Sequence, residues 1–193
     1  MSATTHPSAV LAAPESQEQI VTRPAVRKVL AVARIIIGFT FLWAFLDKLF
    51  GFGFATPSSR AWIHGGTPAQ GFIKGIEGPF HDVFQIVANP FGDWLFMIGL
   101  LGIGLAMITG AGLRIAATAG TLLMVFMFMA EWPAATTVVD GKVVSGSTNP
   151  VVDSHWHEAL LLIISAVTLA GDTWGLGTWW SNRGFVTKHP WLR

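Results

Sequence analysis

Four long apolar stretches constrain this chain more than any single motif does. A bilayer core takes roughly 20 predominantly apolar residues per helical crossing, and the windows Lys28 to Phe50, Pro90 to Gly110, Leu113 to Trp132 and Pro150 to Ala170 each supply such a run. The expectation is an all-α integral membrane protein, a four-helix bundle of up-down-up-down topology, with short interfacial helices between the first two spans.

Composition agrees. The chain is 52% hydrophobic and 12% charged, with a mean hydropathy of +0.55, well away from the roughly 25% charged residues of soluble domains. In 193 residues there is room for one folded unit, read as a four-span membrane domain over 28–172, a disordered cytoplasmic tail over 1–27 and an interfacial cytoplasmic tail over 173–193. The first 22 residues hold Ser, Thr, Pro and Gln without an apolar run, so they read as neither signal peptide nor fold element. A net charge of +1 gives no reason to expect nucleic acid as a partner. The absence of cysteine excludes thiolate chemistry, disulfide exchange, iron–sulfur clusters and covalent c-type haem within this chain. Redox chemistry would therefore need a bound cofactor or a partner.

Start signals are clear at two spans. Asn89-Pro90 and Asn149-Pro150 each read as an Asn N-cap with Pro at the first helical position, followed by Asp93 or Asp153 near the positive helix end. The turn Thr109 to Gly112 is short enough to make spans two and three a hairpin. Seven Lys and Arg flank one side of the spans (Arg23, Arg27, Lys28, Arg114, Arg183, Lys188, Arg193) and three the other (Arg60, Lys74, Lys142). The positive-inside rule then places both termini in the cytoplasm of a multi-pass plasma-membrane protein. Trp62, Trp94, Trp132 and Trp156 fall at the outer level and Trp174, Trp179 and Trp180 at the inner one, as aromatic belts. Between spans one and two lie almost forty residues, too many for an inert connection. A piece opened by Thr67-Pro68 and another opened by Pro79 are expected there as helices covering the bundle mouth.

Ionised groups near hydrocarbon are costly, about 2.5 to 3.5 kcal/mol at mid-helix, and usually face the bundle interior. At the outer ends stand Asp47 and Lys48, Asp93, Glu131, and His155, His157 and Glu158. Spacing of three puts His155 and Glu158 on one helix face. Three readings stay open: a structural network in which Asp47 or Glu131 neutralises Lys48 and His155 donates to Glu158; a proton relay at a quinone head; or a metal held by His155, Glu158 and Glu131, for which no recognised metal spacing exists. A bis-His haem b is not expected, because no opposing span offers a second histidine. His64 and His81 lie in the loop. Arg34, two turns into span one, is expected to pair with Asp172 or to snorkel to the headgroups.

The run from Ala33 to Phe39 with its Arg34 and Gly38, followed by Phe45-Leu46-Asp47-Lys48-Leu49, resembles the first span of the DoxX/DoxD family. Gly51 to Phe54, Thr67 to Phe72, Gly102 to Leu105 and Gly110 to Arg114 are similar to later segments of the same family. The resemblance covers roughly residues 28–172. It implies a four-helix membrane fold and, in the DoxD-like branch, a subunit of thiosulfate:quinone oxidoreductase; other DoxX-like proteins are linked to oxidative-stress complexes or have no assigned activity.

On this reading electrons pass from a donor such as thiosulfate to a membrane quinone at the outer face. Glu131, His155, Glu158 and Asp47 are the candidate catalytic groups. Lys48, Trp43, Trp132 and Trp156 are the candidate quinone-binding or substrate-binding groups, Arg60 stands near, and no metal is assigned. The partners are the lipid bilayer, membrane quinone and a possible protein subunit. The alternative is a noncatalytic membrane subunit that docks or stabilises a respiratory or stress complex.

Overall fold

The computed structural model describes residues 15–76, 79–132, 137–140, 142–145, 149 and 151–193. After a short helix α1 (Gln17–Ile20) comes α2 (Pro24–Phe50), then α3 (Pro68–Ile73), α4 (His81–Gln85), α5 (Pro90–Thr109) and α6 (Leu113–Ala130). A hairpin of β1 (Thr137–Val139) and antiparallel β2 (Lys142–Ser145) precedes α7 (Ser154–Val167), α8 (Gly177–Ser181) and α9 (Gly184–Lys188). The chain is otherwise helical, and α2, α5 and α6 are long and apolar enough to cross a membrane. The hairpin departs from the all-α expectation; its Val and Thr residues favour strand geometry, and Asp140 turns the chain at φ 51°.

The expected caps hold at α5, where Asn89 accepts from the Gly92 amide, Pro90 sits at the first position and Gly110 ends the helix with φ 79°. The fourth apolar window differs. Its helix is 14 residues long rather than running from Pro150 to Ala170, about 21 Å at 1.5 Å per residue. Its N-cap is Asp153, whose side chain accepts from the His155 amide. The Pro150 cap position lies outside the described residues, and Asn149 accepts from the Val151 and Val152 amides in a turn instead. At the other end the Leu169 amide donates to Ala166 and the Ala170 amide to Ser165, while Leu169 adopts φ 49°. This is a Schellman stop built without glycine at its left-handed position.

The N-terminus also differs from the expectation of disorder over 1–27. Its described part carries α1 and the first turn of α2, and Gln17 is fully buried, its amide donating to Asp172 at 2.9 Å and its side-chain oxygen accepting from Thr173. Residues 1–14 lie outside the described residues. At the C-terminus, Trp180 donates to the Leu192 carbonyl and Arg193 pairs with Asp172 at 2.9 Å, so the last segment folds back onto the bundle.

In the bundle α2 lies against α5 and α6 against α7, while α5 meets α6 and α2 meets α7. Ile37 and Phe41, Ile103 and Met107, Ala116 and Met124, and Leu162 and Ala166 form the shared core. Small residues let α2 and α5 approach closely: a Cβ at Gly104 would lie 2.8 Å from the Leu42 amide nitrogen, and one at Gly38 2.8 Å from that of Ile108.

Arg34 does not pair with Asp172. It is fully buried, and its guanidinium donates to the carbonyls of Met107, Ile108 (2.8 Å) and Trp174 (3.1 Å). The last carbonyls of a helix have no partner within it. In α5 all four are satisfied: Ala106 by the Gly110 amide, Met107 and Ile108 by Arg34, and Thr109 by the Leu176 amide at 2.7 Å.

Gly104→Ala should lose about 1–3 kcal/mol through overpacking, read as a lower thermal midpoint in detergent. Gly102→Ala, where a Cβ meets nothing within 4 Å, should be neutral or gain up to about 1 kcal/mol of helix propensity. Arg34→Met should destabilise more than either, because each orphaned buried carbonyl costs about 1–3 kcal/mol; the same thermal assay checks it.

Candidate functional site

The segment between α2 and α5 builds a cover over one end of the bundle, and two buried carboxylates hold it there. Asp47, 1% exposed, accepts from the amides of Phe54, Ala55 (3.0 Å) and Thr56 (2.8 Å), which fixes the turn after α2. Asp93 on α5 accepts from the Ala69 amide at 2.7 Å, the Gln70 amide at 3.0 Å and the Gln70 side chain. It caps α3, a role the sequence offered to Thr67, whose side chain makes no capping bond. Ala69, Ile73 and Ile76 then pack with Ala130 and half-buried Phe84 and Phe96. The second loop helix starts at His81 rather than Pro79, and Val83 is exposed.

Beneath this cover lies a cavity of about 850 Å³. One wall is α5 at Gly92, Leu95, Phe96, Gly99 and Ile103, and another is α6 at Ala119, Leu122, Leu123, Phe126, Met127 and Ala130. Each set recurs at three- and four-residue steps, one face of each helix. Twelve residues of helix, Gly92 to Ile103 and Ala119 to Ala130, give the groove a length of about 17 Å. Leu95, Leu122 and Phe126 are more than half exposed, so the groove opens sideways between α5 and α6, toward the surface that lipid would cover.

The other end of the cavity is polar. Lys48 from the end of α2 lines it together with Arg60 and His64, which come from the short 3-10 turns Ser58–Arg60 and Trp62–His64 packed against α2. Lys48 makes no hydrogen bond or ion pair among the described residues; its ammonium lies 5.9 Å from the centre of the Phe96 ring. Neither Asp47 nor Glu131 forms an ion pair with Lys48; the Asp47 carboxylate accepts from three backbone amides, and its charge acts on Lys48 through space. The His64 ring bonds the Ser58 carbonyl through Nδ1 at 2.8 Å.

Of the candidate catalytic and binding residues, Lys48 lines the cavity, as does Arg60, which was placed near it. Trp43 packs with Phe39, Phe52 and Phe54. Trp132 packs tilted against Phe128 and Trp156 packs edge-on to it, with centroids 5.5 and 5.3 Å away. Glu131, exposed, ends α6 one residue beyond the wall residue Ala130. His155 turns its Nδ1 to Asp153 at 2.7 Å and not to Glu158. Glu131, Asp153 and His155 place one ligand-type atom each within 4.8 Å of one another. Asp153 thus stands where Glu158 was expected; an Asp two residues before a His at a helix start was the available signal. Of the two loop histidines that could approach the site, His64 lines the wall; the α5 face, at Gly92, Leu95, Phe96, Gly99 and Ile103, was not identified from sequence.

Comparison with family models, with curated proteins and with solved structures finds no match to this chain.

Asp93→Asn keeps the shape but removes the charge that receives the α3 amides. It should cost about 1–3 kcal/mol and make the Ala69 and Gln70 amides exchange faster with deuterium, with amides in the middle of α6 unaffected.

Proposed function

We propose that this chain is a membrane-embedded protein that takes an apolar-tailed molecule from the bilayer into the α5–α6 groove, with the molecule's head at Lys48, Arg60 and His64. The single observation that carries this reading is a cavity apolar along its length, open toward the lipid-facing side and cationic at one end. Ligand sites are commonly apolar with a few placed polar groups, and this one has that composition.

Following the DoxX/DoxD resemblance, the molecule is a membrane quinone and the chain a redox subunit that receives electrons from a donor such as thiosulfate. A bound quinone would supply two-electron acceptance. Lys48 and Arg60 would hold its head oxygens, and the α5 and α6 faces its tail. With no cysteine in the sequence, the electrons would reach it from the donor directly or through a partner subunit. The membrane arrangement proposed here is four crossings, α7 being the fourth through its packing on α6 and α2, with both termini cytoplasmic in a plasma membrane, as the distribution of Lys and Arg suggests.

One observation favours the second reading, a noncatalytic membrane subunit that binds its ligand and stabilises a respiratory or stress complex. Glu131, His155 and Glu158 do not line the cavity, so a direct proton relay from them to a head inside it lacks a geometric basis.

Gly99→Leu tests the site, because a Cβ at Gly99 meets nothing within 4 Å and added atoms enter the groove. In nanodiscs it should weaken quinone binding at least about tenfold, equivalent to ~1.4 kcal/mol; unchanged affinity would remove the cavity as the quinone site. Loss of donor-dependent quinone reduction in both Glu131→Gln and His155→Asn would favour the catalytic reading, and full retention the noncatalytic one.

A further inference from the structure

The polar end of the cavity has a charge imbalance. Lys48, Arg60 and His64 line it, and no Asp or Glu among the described residues does. Asp47 and Asp93 lie outside the lining, Asp47 accepting from three backbone amides and Asp93 from the start of α3, although the charge of Asp47 still reaches Lys48 through space. Lys48 is half-buried, and neither it nor Arg60 makes a side-chain hydrogen bond or ion pair among the described residues, while the His64 bond to Ser58 uses only Nδ1. Withdrawing a cation from water without a partner is unfavourable. A ligand head that brings negative charge recovers that cost, and a neutral head does so only in part through hydrogen bonds.

We infer that the cavity selects a single-chain amphiphile with an anionic head, its carboxylate or phosphate oxygens at Lys48 and Arg60 and its chain in the α5–α6 groove. The groove's length of about 17 Å is close to the hydrocarbon depth of one leaflet, about half of ~30 Å. The volume of about 850 Å³ lies within the roughly 300–1,000 Å³ of small-molecule sites. Entry from the side suits such a molecule, whose head stays at the interface while its chain slides between Leu95 and Leu122. The inference rests on the cavity being a ligand site, and does not depend on quinone being its occupant.

The test compares three probes of equal chain length, a long-chain carboxylate, the primary alcohol and its phosphate monoester, binding to the full-length protein in nanodiscs of neutral phospholipid. Carboxylate and phosphate should each bind at least tenfold tighter than the alcohol. The preference should fall below threefold in Lys48→Gln and in Arg60→Gln; Arg60 is exposed, so its variant should fold even if the other does not. A preference confined to one anionic probe identifies which head the site takes. Equal binding of all three probes, abolished by Gly99→Leu, would overturn the anionic selectivity and leave the ligand cavity standing. Quinone binding with no binding of any probe would do the same, and no binding of quinone or probes would overturn both.

Discussion

The end of the bundle opposite the cavity depends on one buried cation. Arg34 enters from α2 and donates to the carbonyls that end α5 and to Trp174 in the segment after α7. The C-terminus of a helix carries partial negative charge, so Arg34 meets a favourable field without a carboxylate partner. Its geometry suits the task, since a planar fork reaches several acceptors that a point-like ammonium does not. Asp172, freed from Arg34, holds Gln17 and Arg193 and so ties both terminal segments to the same end. Gly110 belongs to this joint as well: a Cβ there would lie 2.7 Å from Gly171, so the hairpin turn and the chain after α7 touch backbone to backbone.

With that end locked by backbone contacts, the other end can be held by side chains and still leave a space. Asp47 and Asp93 each gather amides from segments outside their own helices, so the cover is bound to α2 and α5 by charge-assisted hydrogen bonds. With Asp47 held by backbone amides rather than in an ion pair, Lys48 lines the cavity together with Arg60 and His64. The cover and the charge of the cavity thus have one origin.

Parts of this were legible in the sequence, for physical reasons. The apolar length needed to cross a bilayer marked α2, α5 and α6, and the Asn-Pro start of α5 follows from unpaired amides at a helix beginning. The early stop of α7 was not legible, because Leu169 occupies a conformation usually signalled by glycine. The costly groups at the mouth were identifiable as a set. Their partners were not, since Asp93 binds amides 23 and 24 residues away and nothing local distinguishes that from a carboxylate facing a ligand. Nor could periodicity mark the cavity wall: α5 and α6 are apolar on nearly every face, so the residues bordering a space look like those bordering lipid or core.

What the sequence determined alone is that α2, α5 and α6 are long and apolar enough to cross a membrane, since a lipid core imposes a length and polarity that single segments must meet; that the fourth apolar window makes only a 14-residue helix was decided by the fold. It also placed Lys48, with Arg60 near, and several acids at one mouth. Tertiary structure decided which of them remain available to a ligand. Asp93 takes amides 23 and 24 residues away, Asp47 takes those of the turn after its own helix, the His155 ring bonds Asp153 two residues before it, and Lys48 and Arg60 line the cavity, because a buried charge takes whatever partner the folded chain brings within reach.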